Sequence, residues 1–153
     1  MSRDKKIDTL MIQLQAFADP DINRLNMVRV IENEYQYCLE TNKEISSNNR
    51  IYLNKVLHAT RAFDSGLRLF LQKMGCIGDA HSIGEYVTKL QNSRSQLFRQ
   101  LDGNLAVKIN TEVTNKRNRF MHAAGVFPTE GEAEYLVTKT IEYLIRILDL
   151  ERN

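Results

Sequence analysis

The stretch NRIYLNKVLHATRAFDSGLRLFLQKM, Asn49–Met74, decides how this chain folds. Its apolar residues Ile51, Leu53, Val56, Leu57, Phe63, Leu67, Phe70 and Leu71 fill one broad face at helical period, which predicts the longest helix of the protein. Gly75 follows it and suits the C-cap, because a residue without Cβ accepts left-handed backbone at no steric cost. A face that broad must be covered by other elements. The flanking sequence supplies them.

Upstream, the polar stretch Thr41–Asn49 reads as a loop. Before it a helix from Ile22 carries Ile22, Leu25, Val28, Ile31, Tyr35, Cys38 and Leu39 on its apolar side. The turn Asp19-Pro20-Asp21 separates this helix from a first one over about Asp4–Phe17, striped with Ile7, Leu10, Met11 and Leu14. Downstream of the Gly75–His81 loop, Ser82-x-x-Glu85 has capping-box spacing and opens a fourth helix with Ile83, Tyr86, Val87 and Leu90, which breaks near Ser93. Asp102-Gly103 precedes a fifth helix from about Asn104, where Leu105, Ile109, Val113 and Phe120 share one side. After Gly125 and Pro128, Thr129-x-x-Glu132 caps a closing helix that turns Leu136, Thr140, Tyr143, Leu144, Ile147 and Leu148 inward. The expected architecture is all-α, a single-domain bundle of five to six helices over residues 1–153.

Composition agrees with that architecture. With 42% hydrophobic and 26% charged residues the chain has the balance of a globular protein, and only seven glycines and two prolines interrupt it. A formal charge of +2, from 21 basic and 19 acidic residues, is too small to identify a nucleic-acid binder by itself. Cys38 and Cys76 match no metal-ligand or C-x-x-C spacing. With no signal peptide and no apolar run near the roughly 20 residues needed to cross a bilayer, the expectation is a cytosolic protein with reduced thiols, away from membranes.

The segment that carries chemistry is Glu112-Val-Thr-Asn-Lys-Arg117-Asn-Arg-Phe-Met-His122-Ala-Ala-Gly125, at the end of the penultimate helix. Arg117-Asn118-x-x-x-His122 resembles the signature of the HEPN superfamily (higher eukaryotes and prokaryotes nucleotide-binding): an Arg, a polar residue that is commonly Asn, a few residues, then His. The setting is similar too, with long helices before the motif and a Gly-containing turn leading to one closing helix. About a dozen residues carry the resemblance specifically. Glu112-x-x-x-Lys116-Arg117 also fits an extension found in some lineages, although Glu112 and Lys116 are equally an ordinary i,i+4 helix pair.

The resemblance implies a metal-independent RNA endonuclease without a cofactor, of toxin or antiviral type, in which Arg117, Asn118 and His122 are the site and Glu112, Lys116 and Arg119 support it or contact RNA. It implies RNA as substrate, a homodimer, and a nucleotidyltransferase-type antitoxin as a possible partner. The alternative is a non-catalytic HEPN-like module that binds RNA, nucleotide or protein. A bland reading also exists for each residue: His122 as a C-terminal helix cap, Arg117 as a snorkelling or paired surface cation. His58 and His81 lie outside the motif and receive no role, and the aromatic residues Tyr35, Tyr37, Phe63 and Phe70 are assigned to the core.

The residue types suit the chemistry independently. RNA carries its own nucleophile in the 2′-hydroxyl, so cleavage needs a base, an acid for the leaving 5′-oxygen, and positive charge on the phosphorane. Histidine, with an unperturbed pKa of about 6.5, serves either proton transfer, and arginine grips two phosphate oxygens at once. Geometry raises a difficulty, because residues five apart on an α-helix diverge by about 140°. Two arrangements would relieve it: the helix unwinds before His122, or two chains assemble one composite site with Arg117 and His122 from each.

Overall fold

The structure, a computed structural model, describes residues 2–40 and 50–152. The stretch Thr41–Asn49, read as a loop, lies outside the described residues. The elements are α1 (Arg3–Ala18), α2 (Ile22–Glu40), α3 (Arg50–Lys73), α4 (Ile83–Asn92), α5 (Gly103–Ile109), a π-helical turn (Asn110–Thr114), α6 (Asn115–His122) and α7 (Glu130–Leu148). Since α5, the π turn and α6 form one continuous rod, the protein is the expected bundle of six helices, with no strand among the described residues. No helix in them is long and apolar enough to cross a membrane.

The local signals act where they stand. Gly75 takes φ +71°, and the amides of Gly75 and Cys76 donate to the carbonyls of Gln72 and Leu71 at 3.1 and 3.0 Å, which closes α3 in a Schellman motif. Thr129 and Glu132 make a complete capping box at α7, each side chain taking the other's backbone amide at 3.1 Å. At α4 the box is half made: Ser82 Oγ accepts from the Glu85 amide, while the Glu85 carboxylate accepts from the Ser82 hydroxyl.

Helix α3 is the centre of the bundle, packed between α2 and α7, with α1 bridging those two and α4 and α6 laid across its remaining side. Val56, Phe63, Leu67, Phe70 and Leu71 are fully buried as expected, but Ile51, Leu53 and Leu57 are only half-buried. Ile22 departs further: it is 72% exposed at the first position of α2. Tyr37 likewise leaves the core, tilted against the His58 ring at 5.0 Å, whereas Tyr35, Phe63 and Phe70 are buried.

Helix α3 packs tightly against α7 at Gly66. A Cβ built there would stand 2.5 Å from Leu144 Cδ2 and 3.1 Å from its Cγ, and Leu144 is wholly buried. Gly66→Ala is therefore expected to lower stability by about 1–3 kcal/mol through overpacking, despite alanine's better helix propensity. Chemical denaturation checks it; an unchanged or raised midpoint would mean that the interface yields freely.

Lys55 is a core residue that apolar periodicity does not find. It is fully buried, and its Nζ lies 2.5 Å from Glu134 Oε1 on α7, with Arg3 on the same carboxylate. Burial pushes the Lys55 ammonium below its usual range, with the Arg3 charge adding to the effect. Cys38 donates to the Lys55 carbonyl at 3.6 Å, and burial pushes its thiol up to about 12. It is an inert structural cysteine.

Candidate active site

The fifth rod is anchored by Leu105, Ile109, Val113 and Phe120, all buried on one side. Between Asn110 and Thr114 it widens into a π turn, in which the Asn115 amide donates to the Asn110 carbonyl. Such turns insert one residue into a helix and redirect the side chains around it. Glu112 is the residue redirected. Its Oε1 accepts from the Tyr135 hydroxyl at 3.2 Å and its Oε2 from the Tyr143 hydroxyl, so both carboxylate oxygens are engaged by α7. Burial, then the Glu112 carboxylate, push both phenols above their usual range. No ion pair joins Glu112 to Lys116 among the described residues; the carboxylate fastens the π turn to α7 instead.

Arg117 and Asn118 open onto a cleft of about 510 Å³ between α3, α6 and the start of α4. Thr60, Arg61, Asp64 and Ser65 line it from α3, and His81, Ser82, Ile83 and Gly84 from the α4 side, with Thr114 at the end of the π turn. Arg117 is half-buried and its Nη1 donates to Asn118 Oδ1 at 3.2 Å, which holds the guanidinium toward the cleft. Thr114 Oγ1 is buried there without a hydrogen-bond partner among the described residues.

Two arginines, Arg61 and Arg117, and one acidic residue, Asp64, line the cleft. Arg61 is held at its rim by the buried Glu34, whose carboxylate meets Arg61 Nη2 at 3.2 Å and His58 Nδ1 at 2.7 Å. Asp64 is the opposing charge; burial pushes its carboxyl upward, and Arg68 and Arg117 counter only part of that. Two guanidiniums, an imidazole, an amide and several hydroxyls in the lining, set against the one carboxylate of Asp64, can donate to an anion with many acceptor oxygens, such as a phosphodiester. Among the described residues no three His, Cys, Asp or Glu side chains gather as metal ligands would.

His122 stands apart from this cleft. Helix α6 stays α-helical through His122, so the unwinding considered from sequence does not occur, and the divergence of about 140° between positions 117 and 122 holds. The imidazole is exposed in the last turn, before Ala123 leaves the helix and Gly125 turns the chain at φ +75°. Arg119 is exposed and Lys116 half-buried, and neither lines the cleft. The structure thus brings Arg117 together with Asn118, and adds Arg61, Asp64 and His81, which no motif pointed to. Only the contiguity of His81 and the cap Ser82 with the start of α4 was visible beforehand, and it says nothing about what α4 faces.

No family model matches this chain, and no curated protein or solved structure does.

Proposed function

We propose that the chain is a HEPN-type endoribonuclease that cleaves RNA by attack of its own 2′-hydroxyl, without a metal ion, and that it works as a homodimer. The observation that carries the reading is Arg117-Asn118-x-x-x-His122 at the end of the penultimate helix, with its first two residues opening on a cleft that Arg61 also lines. Arg117 and Asn118 hold the phosphate oxygens, and Arg117 neutralises the charge that grows on the phosphorane. His122 acts in proton transfer.

Because α6 separates Arg117 from His122, the pair is completed across two chains: Arg117 of one faces His122 of the other over the same cleft. Glu112 supports the site by fixing the π turn beneath Arg117, and Lys116 and Arg119 attract the RNA backbone from outside the cleft. A ribonuclease of this kind suits a toxin or antiviral effector restrained by an antitoxin, for which a nucleotidyltransferase-type protein is the candidate.

The deciding experiment incubates the purified protein with single-stranded RNA in EDTA. Cleavage is expected, leaving a 2′,3′-cyclic phosphate and a 5′-hydroxyl, and 2′-deoxy substitution at the scissile nucleotide abolishes it. Cutting of the deoxy substrate, or cutting only after Mg²⁺ is added, contradicts the internal nucleophile. Binding of RNA with no cleavage under any condition favours the non-catalytic module.

A further inference from the structure

Cleavage by the 2′-hydroxyl needs two proton transfers, and the Arg117 cleft contains an imidazole that the motif does not. His81 lines it together with Arg117 and Asn118. Its ring is oriented by its neighbours: Nδ1 lies 3.1 Å from the Asp79 carbonyl oxygen and 3.5 Å from Glu85 Oε2. A carbonyl only accepts, so Nδ1 carries the hydrogen and Nε2 is left to meet a ligand. The charged groups around the cleft are Glu85 from α4, Arg61 with its partner Glu34 of α2, Asp64 with its partner Arg68, both from α3, and Arg117 from α6.

The geometry points to a phosphodiester seat between Arg117 and His81, within one chain, in which His81 Nε2 meets the ribose side of the bound group. Given the ribonuclease reading on which its catalytic consequence rests, His81 is the base. The 2′-oxygen bonds to phosphorus as the bond from phosphorus to the 5′-oxygen breaks. Neutral His81 takes the 2′-hydroxyl proton at Nε2, and a second imidazole, protonated, gives one to the 5′-oxygen. His122 supplies that second imidazole, so a single site needs one copy of each histidine.

The test follows the His81 ring protons by NMR while the 153-residue chain is titrated with a 2′-O-methyl RNA oligonucleotide, which offers the phosphodiester but has no nucleophile. An anion seated against the ring favours the imidazolium, so the His81 midpoint is expected to move upward in the complex, and His81→Ala to weaken binding. The side chain is 82% exposed, so this replacement leaves the melting temperature unchanged. On cleavable RNA, His81→Ala is expected to be slower by about 10²-fold or more and to lose the acidic limb of the pH–rate profile, where a base becomes protonated. A His81 midpoint indifferent to the oligonucleotide, or wild-type cleavage by His81→Ala, overturns the proposal. A shifted midpoint in a wild-type protein that cleaves no RNA upholds the phosphodiester seat and sinks the ribonuclease reading instead.

Discussion

If the chain is the proposed ribonuclease, His122→Ala and Arg117→Ala are each expected to lower RNA cleavage by about 10²–10⁴-fold, the range spanned by loss of a positioned proton donor or of a charge-stabilising group. The fold should not notice. His122 is exposed in the last turn of α6, and among the described residues Arg117 hydrogen-bonds only to the neighbouring Asn118, so stability should stay within about 0.5 kcal/mol of wild type. The two variants differ in how they fail. On that reading Arg117→Ala would remove a phosphate contact present in both ground and transition states, so it is expected to raise KM as well as lower kcat, whereas His122→Ala is expected to act mainly on kcat. Arg117→Lys recovers little, because a point charge does not reproduce the two-pronged grip of the guanidinium. Unfolding of either alanine variant would show that the residue serves the bundle, and retention of activity would remove it from the site.

Mixing two dead proteins should restore activity. If each site takes Arg117 from one chain and His122 from the other, an Arg117→Ala/His122→Ala heterodimer has one intact site and one doubly damaged one. Free exchange at equal concentration makes half of the dimers heterodimers, so about one quarter of wild-type activity is expected from two inactive parents. The alternative assembly, one shared site requiring both copies of both residues, regains nothing. It also makes activity fall as the square of the wild-type fraction when wild type is mixed with His122→Ala, where the first arrangement falls linearly. The contrast bears on His81, because a site with its own base in each chain has no need of two copies of His122. A monomer at micromolar concentration removes both arrangements.

Position along the chain was enough for the parts of this protein that depend on near neighbours. Gly75, Ser82 and the Thr129/Glu132 box end or begin helices through bonds to amides within a few residues, so their effect does not wait for the rest of the fold. The period of Val56, Phe63, Leu67 and Phe70 marks a buried face whatever buries it. Arg117, Asn118 and His122 were recognisable as a group because they lie in one short segment.

Tertiary structure decided everything that depends on what a face meets. Lys55 is buried because Glu134, far along the chain, arrives to pair with it, and Ile22, at the start of α2, is left exposed although it carries the apolar period. The π turn belongs with Glu112 reaching two tyrosines of α7, so the helical period of Leu105, Ile109 and Val113 gave no sign of it. The cleft is the clearest case. His81 and Arg117 are distant in sequence and share it only because α4 and α6 both pack across α3, while His122, five residues from Arg117, is carried away by the pitch of its own helix. Sequence proximity selects residues that can bond locally; which distant side chains share a cleft is set by how the helices pack.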